Sequence, residues 1–189
     1  MDTLAPATVK LTIAEFEAFL EAQPDGRPYY ELHDGDVIEM PHPSNHHQRI
    51  IIQLIRLLSS FLDAQSLGEV LHEREVVIPE RDSYYVVDLG VYTFTRFPAG
   101  DANLNKLSPD IAVEVYSPLN TYEELTGKAF DYISAGSRLV WVIYPGRKHI
   151  YVHYPNQQIV RVLADGVLDG GEVLPGFTLN MSEFWAKVK

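Results

Sequence analysis

A chain of 189 residues, 46% hydrophobic and 22% charged, carries enough apolar material for one compact domain and too little charge bias for disorder. No apolar run approaches the ~18 residues of a membrane span, the opening Met1-Asp2-Thr3-Leu4-Ala5-Pro6 lacks a secretory signal pattern, and the absence of cysteine points to the reducing cytoplasm. A net charge of −11 counts against broad nucleic-acid binding, yet it leaves room for a local basic groove, for acids that hold a metal, or for a basic protein partner.

Thr12-Ile13-Ala14-Glu15 has capping-box spacing, and Ile13, Phe16, Phe19 and Leu20 continue at helical intervals until Pro24-Asp25-Gly26. Tyr29 to His33 and Asp36 to Met40 read as a hairpin about Asp34-Gly35, with Tyr29, Glu31 and His33 on one face. Ser44 caps a helix from about Asn45 to Asp63 whose apolar stripe includes Ile50, Leu54 and Leu58. His47 then lies one turn before that stripe, at the helix start, while His46 beside it points elsewhere. Extended runs follow at about Glu69 to Ile78 and Tyr84 to Phe94, then a loop from Arg96 to Lys106.

The stretch Ser108-Pro109-Asp110-Ile111-Ala112-Val113-Glu114-Val115-Tyr116-Ser117-Pro118 reads as a buried strand between prolines. Asn120-Thr121-Tyr122-Glu123 opens a helix that closes at Gly136, and Lys128 falls on its packed side between Leu125 and Tyr132. Arg138 to Tyr144 and His149 to Tyr154 form a further hairpin around Pro145-Gly146-Arg147, with His149 and His153 on a strand face. Shorter strands are expected at Gln158 to Leu163 and Phe177 to Asn180, and a terminal helix at Ser182 to Lys187. The order predicts an α/β (α+β) fold in one domain over residues 1–189, with no linker or repeat to divide it.

Two acids interrupt the core strands: Asp88 in the Tyr84 run and Glu114 in the central one. Buried carboxylates are rare unless paired or bound to metal. By alternation Asp110, Ala112 and Glu114 share one strand face, and Val86, Asp88, Gly90 and Tyr92 share another. If the strands pair, Asp88 and Glu114 approach, and two charges about 4 Å apart repel by roughly 4 kcal/mol at an effective dielectric of 20. A raised pKa or a divalent cation relieves this, and hard oxygen ligands suit Mg²⁺ or Mn²⁺. A nearby lysine then orients or deprotonates water for attack on a phosphodiester.

This arrangement resembles the PD-(D/E)XK nuclease superfamily, and within it the Uma-two family of restriction-endonuclease-like proteins. The likeness runs through Tyr30-Glu31-Leu32-His33-Asp34-Gly35-Asp36, Pro43-Ser44-Asn45-His46-His47-Gln48, Val87-Asp88-Leu89-Gly90-Val91 and Pro109 to Pro118. It continues with Lys128, Tyr132, Ala135-Gly136 and Leu139-Val140-Trp141. The resemblance implies a restriction-endonuclease-like core, a mixed central sheet flanked by helices. It implies Asp88 and Glu114 as metal-binding acids, Lys128 as a catalytic lysine moved onto the following helix, Glu31 as a further acid and His47 near the site. Two departures stand out: Val87 replaces the usual proline before the first acid, and Glu114-Val115-Tyr116 lacks the strand lysine.

The expected activity is Mg²⁺- or Mn²⁺-dependent hydrolysis of DNA phosphodiesters. The competing reading is a nuclease-fold module that binds without cutting, acting through protein contacts in a dimer built on the exposed hairpins; a homodimer is expected under either. Structural readings stand beside each residue: Lys128 as a snorkelling side chain, Glu31 as a solvent-facing hairpin acid, Asp110 as a strand-start residue after Pro109, and His47 bonded to the backbone at a helix end.

Overall fold

The computed structural model describes residues 10–24, 29–98, 106–118 and 120–188. Helix α1 (Ile13–Glu21) starts where the spacing predicts, with Thr12 Oγ1 accepting from the Glu15 N–H and the Glu15 carboxylate accepting from the Thr12 N–H. Its predicted stop, Pro24-Asp25-Gly26, falls partly outside the described residues, as do the opening residues 1–9 and most of the loop from Arg96 to Lys106. Strands β1 (Tyr29–His33) and β2 (Asp36–Met40) form the expected hairpin. Asp34 and Gly35 both take positive φ, 47° and 84°, as a two-residue turn of the primed type demands.

Helix α2 (Asn45–Gln65) is capped by Ser44 Oγ on the His47 N–H and ends at Ser66 in the left-handed region. Strands β3 (Gly68–Ile78), β4 (Ser83–Thr93) and β5 (Ile111–Val115) follow, then helix α3 (Tyr122–Ser134). Strands β6 (Leu139–Tyr144), β7 (His149–His153) and β8 (Ile159–Val162) complete the main sheet. Strands β9 (Val167–Gly170) and β10 (Leu174–Asn180) pair by themselves, and helix α4 (Met181–Lys187) ends the described chain. Strand β9 had no clear signature, being four residues among glycines and aspartates.

The main sheet runs β2-β1-β4-β5-β6-β7-β8, with β3 beside β4. Only the β5–β6 pair among these is parallel, and α3 makes its crossover, so the sheet is mixed as expected. One face packs on α2 and α4 through Ile50, Leu54, Val113, Trp141 and Phe184. The other packs on α3 through Ala112, Leu125, Ala129, Tyr132 and Val142. His149 and His153 lie inside the molecule, with His153 only 1% exposed. Among the described residues no helix is long and apolar enough to cross a membrane.

Two irregularities position the site. Strand β3 covers one edge of β4 throughout, from Ile78↔Ser83 to Gly68↔Thr93. The other edge is shared: β1 meets it at Tyr84 and β5 at Leu89, Gly90 and Val91, and no described strand lies between. The sheet therefore forks along β4. Second, strict alternation fails at Asp88. Tyr85 and Val87 belong to the core under α3, whereas Leu89 and Val91, of the same parity, belong to the core under α2. The β3–β4 ribbon turns over at this point, so Val86 does not share the face of Gly90 and Tyr92 as alternation predicted. Across the ribbon from Asp88 the pairing skips from His72↔Leu89 to Arg74↔Val87, and Glu73, the residue passed over, has φ of 50° in mid-strand.

Candidate active site

The fork leaves backbone groups without a strand to bond, and carboxylates take the strand's place. Glu31 Oε1 accepts the Val86 N–H at 2.9 Å, and Asp88 Oδ2 accepts the Val115 N–H at 2.7 Å. The β4–β5 register ends with Leu89 opposite Val113, and its continuation brings Asp88 toward Glu114, the two carboxylates facing one cavity. The two acids predicted to approach do so at the point where these strands part.

Helix α3 supplies the opposing charge. Its buried stripe contains Leu125, Lys128, Ala129 and Tyr132, placing Lys128 over the fork with 5% of its surface exposed. Lys128 Nζ lies 3.0 Å from Glu31 Oε1 and 3.1 Å from Glu114 Oε1, and Tyr132 OH donates to the same Glu114 oxygen at 2.5 Å. Glu31 is 1% exposed, so the solvent-facing reading of that hairpin acid does not hold. His33, two residues on and on the same face, reaches Glu31 Oε2 at 2.7 Å. His47 Nε2 lies 3.3 Å from Asp88 Oδ1, brought there from the first turn of α2. A cavity of about 300 Å³ opens onto Glu31, His47, Glu73, Asp88, Glu114 and Lys128.

Burial, with Asp88 and Glu31 nearby, pushes the Glu114 carboxyl up to about 7 despite Lys128 and the Tyr132 hydroxyl. Burial also works to raise Glu31, but Lys128, His33 and the Val86 N–H outweigh it and bring Glu31 down to about 2. Lys128 loses hydration by burial, yet Glu114 and Glu31 raise it above the usual lysine value, so it stays an ammonium. His47 is likewise raised, since Asp88, Glu114 and Glu73 overcome its burial. Three buried or half-buried carboxylates thus face one ammonium and two histidines, His33 beside Glu31 and His47 beside Asp88.

Asp110 is not part of this group. Fully buried, it accepts from the Thr93 N–H and hydroxyl at 2.8 and 2.7 Å and pairs with Arg138 at 3.2 Å, which latches the start of β5. The sequence reading overlooked Glu73 and the hydroxyl of Tyr132. Glu73 was legible in principle, because His72-Glu73-Arg74-Glu75 sets four polar residues in a row where a regular half-buried strand would alternate.

A mixed sheet forked at its centre, acids on two adjoining strands and a lysine from the crossover helix define a restriction-endonuclease-like fold. The chain belongs to the Uma2 family, described as "Putative restriction endonuclease", whose sequence model matches residues 14–182. It is similar in structure to a crystal structure described as a putative nuclease belonging to DUF820 from Anabaena variabilis. The TM-score is 0.82 at 21% identity, covering 95% of this chain and 99% of that one. No curated protein matches the chain.

Proposed function

We propose that this protein is a divalent-cation-dependent nuclease that hydrolyses DNA phosphodiesters, with Asp88 and Glu114 holding the cation. The observation that carries the reading is the meeting of these two carboxylates at the fork beside a cavity, under a buried lysine. The donor set fits the ion. Among the described residues no three histidine or acidic side chains form a closed cluster. Mg²⁺ uses one or two carboxylates and completes its shell with water and substrate phosphate, so an open pair of hard oxygen donors suits it. Burial raises Glu114 to about 7, so a cation that displaces its proton gains a second carboxylate oxygen beside Asp88.

When bound, Mg²⁺ or Mn²⁺ supplies Lewis-acid polarisation of the scissile phosphate and acidifies its water. The chain's own residues do the rest. Lys128, held as an ammonium by Glu114 and Glu31, stabilises the charge that gathers on phosphate oxygens and, of the two roles expected of it, can orient the attacking water rather than deprotonate it. His47 orients the Asp88 carboxylate, and Tyr132 fixes one oxygen of Glu114.

Calorimetric titration with Mn²⁺ tests the reading. Asp88→Asn and Glu114→Gln keep a hydrogen-bond acceptor where each acid caps or receives a donor, so the fold survives. Each is expected to lose Mn²⁺ binding and DNA cleavage, and wild-type affinity is expected to tighten from pH 6 to pH 8 as the proton on Glu114 is given up. Full metal-dependent cleavage by either variant overturns the assignment. Absence of Mn²⁺ binding by the wild type favours the non-catalytic module.

A further inference from the structure

We propose that this site takes a single DNA strand, which runs from Glu114 across the sheet to Arg161 with its bases against Tyr122 and Tyr151. The proposal rests on the nuclease reading above and narrows its substrate class. Its basis is the sheet register. Glu114 pairs with Val142, Val142 with Tyr151, and Tyr151 with Arg161, so the four residues form one row on the α3 face; Val142 is buried beneath α3, so the row gives the direction and the strand follows the rings that border it. Three strand spacings of about 4.8 Å place the Arg161 backbone roughly 14 Å from that of Glu114, a reach of a few nucleotides.

Aromatic rings line this path. Tyr116, two residues beyond Glu114, borders the cavity and stacks on Tyr144 with centroids 5.0 Å apart. Tyr144 meets Tyr151 at 5.5 Å, and Tyr151 meets Tyr122, the first residue of α3, at 5.7 Å. Tyr122 is 44% exposed, while Tyr116 and Tyr151 are half-buried, each packing one side against the core under α3 and leaving the other at the surface.

Unspent cations flank the same rings. Elsewhere Lys10, Arg81, Arg96, Lys106, Lys128 and Arg138 each pair with an acid, while Arg56 on α2 and Lys187 on α4 are exposed and, among the described residues, unpaired. Arg147, Lys148 and Arg161 are exposed and enter no ion pair among the described residues. Arg161 pairs across the ladder with Tyr151, and Arg147 lies in the short turn that joins Tyr144 to His149, so both cations belong beside the cluster. Phosphates provide the complementary charge, and ring faces stack unpaired bases whatever their sequence. A duplex keeps its base faces stacked on one another, so this combination selects a single strand.

The test is fluorescence anisotropy with a short labelled oligodeoxythymidine and a duplex of equal length, with Ca²⁺ replacing Mg²⁺ to prevent cutting. The wild type is expected to hold the single strand at least about tenfold more tightly than the duplex. Tyr122→Ala is expected to weaken single-strand binding about tenfold and Tyr122→Trp to restore it, in keeping with the stacking contribution of one base. Arg161→Gln is expected to reduce the slope of log affinity against log salt by about 0.7, one phosphate's share on a single strand. Equal or tighter duplex binding, or single-strand binding unchanged in Tyr122→Ala and Arg161→Gln, overturns the proposal. Mn²⁺ titration of the same variants separates the two readings. Metal binding retained with strand binding unaltered removes the strand path and leaves the nuclease. Strand binding lost in Tyr122→Ala with no metal bound by the wild type keeps the path and removes the nuclease.

Discussion

Lys128 is a buried ammonium whose two nearest partners are buried carboxylates, so its removal has a structural effect before it has a chemical one. Breaking such a pair from one side costs about 3–5 kcal/mol, because the remaining charge is left without compensation. Lys128→Met is therefore expected to lose about that much stability in urea unfolding, and Glu31→Gln added to it to recover most of the loss. A loss under about 1 kcal/mol in the single variant removes the pair as a support of the fold. Activity lost in a Lys128 variant carries meaning only beside that measurement. Asp88 and Glu114 were legible as acids in apolar runs, and Lys128 as a lysine on a packed stripe. The partner of Lys128 was less so, because the role of Glu31 depends on a gap between β1 and β5 that no local pattern encodes.

At the scale of elements, most boundaries follow from periodicity and capping, and the exceptions have local causes. Asn120 and Thr121 each have an acid three residues on, Glu123 and Glu124, so two overlapping caps compete for the start of α3. The helix uses Thr121 with Glu124, and Asn120 Oδ1 instead accepts from the Ser117 N–H and hydroxyl at 3.0 and 2.9 Å. Thr121→Ala is expected to cost about 1 kcal/mol in urea unfolding. Glu123→Ala, in the same first turn but outside the capping box, is expected to cost only about 0.3 kcal/mol, its share of the interaction with the helix dipole. Equal effects from the two changes count against this start. Strand β4 shows the other limit of local reading: two-residue alternation assumes a regular ribbon, and Glu73 in the left-handed region breaks that regularity.

For the molecule as a whole, the two-faced sheet was legible in the order of elements, but the interior histidines were not, since a strand histidine reads equally well as surface. Burial pushes His153 down to about 4, and its Nδ1 has no hydrogen-bond partner. The sign follows from proton counting: between pH 6.5 and about 4 the unfolded chain binds the proton that the folded chain refuses. This contribution is full above pH 6.5 and disappears as pH falls through that window, on the order of 3 kcal/mol in all. Unfolding free energy measured against pH is expected to show this acid decline, and His153→Leu to flatten it. An unchanged slope in the variant assigns the decline to other groups.

The turnover of the β3–β4 ribbon at Asp88 also bears on how this chain can change over generations. In an unbroken ribbon, a residue gained or lost at one end inverts every side chain to the other end. Here the first half of β4 takes its setting from the N-terminal hairpin and the second half from β5. A lineage is free to reshape the hairpin arm and still inherit the alignment that brings Asp88 toward Glu114.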